Sequence, residues 1–349
     1  MLPLMIMLCL CLSFAQKLYV VERERGTLAV IEKDELKKEI GGLGDLNHAT
    51  VKFLRKRAYV ISRDGYLSMI DTSTDRLLRK VKVGESTIGL TFCGDKVAVA
   101  NYSPKTVLLL SSELSILHRF ETGSRNVGIK SYGKLLVFSL MDRDEVWVVD
   151  CEDLSIVERF ERVGDMPFDA LLSGNSYVVG FFGESAVGLL SLDTMTYKKM
   201  RFRKSAEEIV LKIPHFGLWG VLGDTAYIPA VGERKIHIVS LKDFSYIGSL
   251  ELPGLPVFAA VSPNGRFLAV NYSGDMEDYL SLIDVRSLHL VETRKLGRRI
   301  LHFRFSQDSE FIYVSSYYEN KVKKVSVPDL KPVKDVSVPT PSGVFIEGG

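Results

Sequence analysis

The chain has 349 residues, 46% of them apolar, with 45 basic against 43 acidic side chains and a formal net charge of +2. That apolar share is enough for a continuous core. A balanced charge with no basic block leaves no electrostatic footprint for nucleic acid and excludes nucleic-acid binding as the main role.

The chain opens MLPLMIMLCLCLSFAQ. An apolar stretch from Leu2 to Leu12, then Ser13-Phe14-Ala15 with small residues where a signal peptidase reads, predicts a secretory signal over residues 1–15. Its positive end is weak, and the alternative is a buried first strand. The stretch is too short to span a bilayer before Gln16-Lys17. A lipid anchor on Cys9 or Cys11 is disfavoured, because Leu8 and Leu10 stand where a small residue is needed. The expectation is one exported, periplasmic domain over 16–349. Cleavage leaves Cys93 and Cys151, in different repeats and without CxxC spacing. They are expected as buried free thiols, with a single disulfide as the lesser alternative. No CxxCH occurs, so no covalent c-type haem is expected.

From Leu18 onward an eight-fold echo runs through the chain. Each copy is an apolar run, a polar turn and a second apolar run. The copies start at Leu18, Ala58, Val97, Leu135, Tyr177, Ala226, Leu268 and Ile312, and two of them share Asn-Tyr-Ser, at Asn101 and Asn271. Turns such as Arg25-Gly26, Asp64-Gly65, Gly183-Glu184 and Gly232-Glu233 make each copy a β-hairpin. A further strand precedes each hairpin, as at Ala49–Leu54 and Phe258–Ser262. Another follows, as at Leu77–Val83, Ile116–Glu121 and Ile156–Glu161. Four short strands per period of roughly 40–50 residues predict an all-β fold, an eight-bladed propeller. Nothing before Leu18 supplies the first blade's leading strand, whereas 343–347 is a spare apolar run at the other end. The ring is therefore expected to close by pairing the C-terminal strand with the N-terminal hairpin, which removes the open edge. The alternative is seven blades, with the irregular copy between Asp193 and Lys235 not counted.

A propeller presents ligands to its axial mouth, where inner strands begin and hairpin loops converge. His48 ends Gly41-Gly42-Leu43-Gly44-Asp45-Leu46-Asn47-His48 just before the second blade's inner strand, and fits an axial ligand to tetrapyrrole iron. The bland alternative is a hydrogen-bonded turn histidine. Arg23 and Arg63 stand at equivalent places in successive hairpins, and Tyr102 at a similar place in the third. Paired guanidiniums suit a ligand with several carboxylates, and otherwise read as solvated turn charges. His215, in Lys212-Ile213-Pro214-His215-Phe216-Gly217, and more weakly Asp142 are the candidate acid/base residues. His118, His237, His289 and His302 are expected within strands as packed or surface residues. No metal cluster, phosphate loop, Ser-His-Asp signature or dinucleotide fingerprint is present.

The segments GGLGDLNHATVKF and AYVISRDGYLSMID resemble the haem d1 biosynthesis propellers. More distantly they resemble the d1-binding domain of cytochrome cd1 nitrite reductase and its dehydrogenase relatives. The resemblance covers essentially the whole mature chain and implies an eight-bladed propeller. It implies that His48 is the proximal ligand to tetrapyrrole iron, that Arg23 and Arg63 hold macrocycle carboxylates, and that Tyr102 lines the pocket. His215 falls on one of two distal histidines, and Asp169 stands where the other is expected. That departure, and the missing c-type haem domain, argue against nitrite reduction and leave tetrapyrrole binding intact. The implied role is periplasmic binding and processing of a didecarboxysirohaem-like iron precursor on the route to haem d1. The implied partners are other haem d1 maturation proteins and cytochrome cd1 nitrite reductase. The alternatives are a non-catalytic carrier or assembly chaperone, a dehydrogenase of a peripheral side chain, and a cofactor-free interaction module.

Overall fold

Eight four-stranded antiparallel sheets radiate from one axis, and a computed structural model describes residues 16–202 and 220–348 of them. The expected ring of eight blades is the fold. Blade 1 takes its inner strand, Pro341–Ile346, from the far end of the chain and pairs it with Lys17–Glu22. The register is Leu18 to Ile346, Tyr19 to Phe345 and Val20 to Val344, so the ring closes as expected. Blades 2 to 8 have inner strands Thr50–Leu54, Ser86–Cys93, Asn126–Tyr132, Pro167–Ser173, Gly220–Leu222, Leu255–Val261 and Ile300–Phe305. The irregular copy is a complete blade, which disposes of the seven-bladed alternative. Among the described residues the only helical turn is Gly274–Met276.

Each blade is covered on both faces by its neighbours, so its second and third strands read as near-continuous apolar runs rather than as an alternation. The core is accordingly divided into layers between blades. One layer joins Tyr19, Val21, Leu28 and Val30 of blade 1 to Val51, Ala58 and Val60 of blade 2. Another joins Ala98, Val107 and Leu109 to Phe138, Trp147 and Val149. The second and third strands are buried almost throughout, as in Thr106–Leu110 and Glu145–Asp150, whereas outer strands such as Arg76–Lys82 are largely exposed. The repeated asparagines lock blades together. Asn101 Nδ2 donates to Val83 O at 2.9 Å, while its Oδ1 accepts from Thr87 Oγ1 at 2.8 Å. Asn271 Nδ2 reaches Ile300 O, at the start of the next blade, at 2.8 Å.

The cysteine expectation is corrected. Cys93 and Cys151 form a disulfide with a Cα–Cα separation of 6.4 Å. Cys93 ends the inner strand of blade 3, and Cys151 follows the third strand of blade 4, so stacking of neighbouring blades brings them together at one end. Spacing along the chain hides this, because the two lie 58 residues apart. Closing a loop of that length removes unfolded-state entropy worth about 4 kcal/mol. The double variant Cys93→Ser/Cys151→Ser is expected to lose up to about that much in denaturant unfolding, with an unchanged far-UV spectrum below the transition.

Candidate functional site: the axial mouth

The loop from Ile40 to Thr50 joins the outer strand of blade 1 to the inner strand of blade 2, and its shape is set by glycines and buried leucines. Leu43 and Leu46 are fully buried anchors. Gly26 has φ +62°, and a Cβ there would lie 2.4 Å from Gly44 O, so the first hairpin and this loop touch backbone to backbone. Gly44 has φ +96°, and a Cβ there would lie 2.6 Å from Asp64 Oδ1. The same carboxylate accepts from Asp45 N at 3.0 Å, and Arg63 N donates to Asp45 O at 2.7 Å. The glycine run thus works as the joint that fastens the hairpins of blades 1 and 2 to the loop bearing His48.

His48 itself is left-handed, at φ 60°. Met166, Arg299 and Thr340, just before the inner strands of blades 5, 8 and 1, are left-handed too. His48 therefore occupies a repeated left-handed position at the entry to the inner strands. A non-glycine residue pays of order 1 kcal/mol for that conformation. Enclosing protein pushes the imidazole pKa down from its ordinary value, and the Arg23 and Arg63 charges push it further, against Asp45. It is neutral at neutral pH, the form that ligates metal.

Arg23 Nη2 donates to Asn47 Oδ1, beside His48 in the same loop. The Arg63 guanidinium lies 5.2 Å from the centre of the Tyr102 ring, and that of Arg125 lies 6.0 Å from it. Tyr102 packs against the apolar patch of Ile88, Val127, Met141 and Phe168 at the mouth, and burial pushes its hydroxyl up to about 12. Arg23, Arg63, His48 and Tyr102, chosen from four stretches of sequence, therefore come together. Asp142 is also here, but as the partner of a cation. Arg125 Nε and Nη2 donate to its Oδ1 at 2.8 and 2.6 Å, Arg125 N donates to Oδ2 at 2.9 Å, and Lys105 Nζ lies at 3.0 Å. Burial would raise this carboxyl, but those bonds outweigh it and hold it well below the usual carboxylate range. Asp169 is buried on the inner strand of blade 5, accepting from Ala170 N at 2.8 Å.

Sequence reasoning missed Arg125 and Arg299. Both immediately precede an inner strand, the position that singled out His48, so the same rule applied to every blade finds them. His215 lies outside the described residues. Of the other histidines, His118, His237 and His302 fall within strands, and His302 Nδ1 accepts from Val344 N at 3.0 Å. His289 instead sits in the turn before Leu290–Lys295. Among the described residues no group of three or more His, Cys, Asp or Glu side chains is arranged to hold a metal ion. No helix among them is long and apolar enough to cross a membrane.

The fold is an eight-bladed propeller whose mouth gathers an imidazole, several guanidiniums and an aromatic ring. The chain belongs to the cytochrome d1 haem domain family, whose model matches residues 15–348. Its curated relatives include the protein NirF of Pseudomonas aeruginosa, 30% identical over 352 residues, which cover 93% of this chain and 90% of that protein. The protein NirF of Stutzerimonas stutzeri is likewise 30% identical over 351 residues, with the same coverage. Among solved structures, dihydro-haem d1 dehydrogenase NirN in complex with DHE superposes with a TM-score of 0.79 at 18% identity, covering 94% of this chain and 74% of that one. Apo AztD from Citrobacter koseri gives 0.73 at 14% identity, covering 95% and 97%. At such identities these two show the fold.

Proposed function

We propose that this protein binds an iron-containing, haem d1-type tetrapyrrole precursor, of the didecarboxysirohaem kind, at the axial mouth and handles it on the route to haem d1. The observation that carries the reading is the neutral, left-handed His48 set beside the paired guanidiniums of Arg23 and Arg63. In this reading His48 ligates the iron from one side of the macrocycle. Arg23 and Arg63 donate charge-assisted hydrogen bonds to peripheral carboxylates. Tyr102, between Arg63 and Arg125, forms a flat wall. Asp142 positions Arg125, and His215 remains the candidate proton-transfer residue of the open side. Family membership supports the ligand class. The Cys93–Cys151 disulfide supports export through a signal at residues 1–15 to an oxidising compartment such as the periplasm. Other haem d1 maturation proteins and cytochrome cd1 nitrite reductase are the partners the reading implies.

A second reading, a carrier that passes the macrocycle on unchanged, is favoured by one observation: the Asp142 carboxylate is fully engaged and does not hold a proton at neutral pH. Incubation of the mature protein with didecarboxysirohaem, followed by mass spectrometry, separates the two. A mass change that His215→Ala abolishes supports processing, and tight binding with unchanged mass supports the carrier. If the macrocycle does not bind at all, both readings fail.

A further inference from the structure

Below the mouth, the inner strands carry a charge pattern that the binding reading does not use. Lys52, Lys130 and Arg304 pair with Tyr59, Val137 and Tyr313 respectively. Each partner is the third residue of its blade's second strand, so the three cations sit at one level of the axial channel, in blades 2, 4 and 8. The other five blades place uncharged residues at this level, from Gly220 to Phe345. Counting from His48, Lys52 is four residues down its strand, about 13 Å at ~3.3 Å per residue.

Among the described residues, none of the three side chains has a hydrogen bond or ion pair, and Arg304 lies 6.0 Å from the centre of the Phe345 ring. Lys52 and Lys130 repel one another although their blades are not adjacent, which places both charges toward the shared channel. Asp169, the carboxylate that Lys52 senses, stands two residues nearer the mouth and offsets only one of the three charges. Enclosure pushes the Lys52 ammonium down to about 7 and the Arg304 guanidinium down to about 10. Half-buried cations without partners are costly, and a fold gains nothing in stability from setting three of them at one level.

We propose that Lys52, Lys130 and Arg304 form an anion subsite in the axial channel that takes a carboxylate or a small oxyanion of similar charge. The carboxylate comes either from a free small molecule or from a side chain of the macrocycle at the mouth. In the second case the subsite rests on the binding reading above.

Citrate is the probe. Calorimetric titration of the mature protein at pH 7.5 in low salt is expected to show saturable binding. Lys130→Met should weaken it by about tenfold or more, the size of one lost charge-assisted contact. An anion beside Lys52 stabilises its ammonium, so the binding heat should shift between buffers of different ionisation enthalpy, and Lys52→Met should abolish that shift. Both replacements are apolar and of similar length, and removing an uncompensated cation should raise the melting temperature at pH 6, which shows that the variants fold. Citrate that binds wild type and both variants equally, or that does not bind wild type, overturns the proposal. Citrate displaced by didecarboxysirohaem would identify a macrocycle side chain as the natural occupant, and simultaneous binding would identify a separate small anion. Citrate binding in a protein that takes up no macrocycle would leave the subsite standing and defeat the mouth reading alone.

Discussion

Replacing His48 with alanine is expected to abolish axial ligation of the tetrapyrrole iron and to weaken macrocycle binding by about 100-fold or more. Even the hydrogen-bond partners of metal ligands are worth about 10–100-fold, so the ligand itself is worth at least that. The variant must be shown not to disturb its loop, and the backbone supplies the control. His48 is left-handed, so His48→Gly removes the imidazole at a position glycine adopts freely. That variant should melt above His48→Ala and lose ligation as completely. The pH dependence follows from the lowered imidazole pKa. Ligation needs the neutral ring, and the folded-state pKa lies below the ordinary value of 6.5. Affinity should therefore stay flat as pH falls from 8 to about 6.5 and drop only as the lowered folded-state pKa is crossed. A drop already complete at pH 6.5 would mean that the imidazole is not the ligand or that its pKa is not lowered.

The second large effect concerns the guanidiniums. Arg23→Leu and Arg63→Leu are each expected to weaken the macrocycle about 10- to 150-fold, from about 1.5–3 kcal/mol per charge-assisted contact. They should not be equivalent. Arg23 is held by Asn47 in the His48 loop, so its loss also loosens the axial ligand. Arg63 faces Tyr102, so its loss exposes the ring and leaves Arg125 as the remaining cation over it. A double-mutant cycle between Arg23 and His48 should show coupling, and one between Arg63 and His48 much less. A macrocycle analogue with its carboxylates esterified should bind wild type and Arg63→Leu alike. If the arginine variants bind the free-acid macrocycle as wild type does, the carboxylate-anchoring role is wrong.

The ring was legible in the sequence because a propeller writes each blade out in full. Eight hairpins, the shared Asn-Tyr-Ser and the spare terminal strand gave the blade count and the closure, and the chain paired Leu18 with Ile346 accordingly. What repeats in sequence stays visible; what is made by stacking different repeats does not. The disulfide joins two blades through a contact that no spacing encodes, and the two cysteines read as free thiols for that reason. The channel cations were hidden in the same way. Lys52, Lys130 and Arg304 each look like a solvated charge within a short strand, and only the common register shows that they share one level. At the mouth, Arg23, Arg63 and Tyr102 were legible because they stand at equivalent places in successive hairpins, and His48 because it just precedes an inner strand. Asp142 was legible as a residue but not as a partner, since Arg125, which binds it, lies 17 residues away in sequence and meets it only across the ladder that begins at Asn126 and Leu140.

The central claim, that the mouth ligates an iron tetrapyrrole through His48, is tested most directly by a visible-spectrum titration of the mature protein with ferric didecarboxysirohaem at neutral pH. A saturable one-to-one shift of the Soret band to a histidine-ligated form is expected, absent in His48→Ala and His48→Gly and present in His215→Ala. A shift that persists unchanged in both His48 variants, or no shift in the wild-type protein, would contradict it.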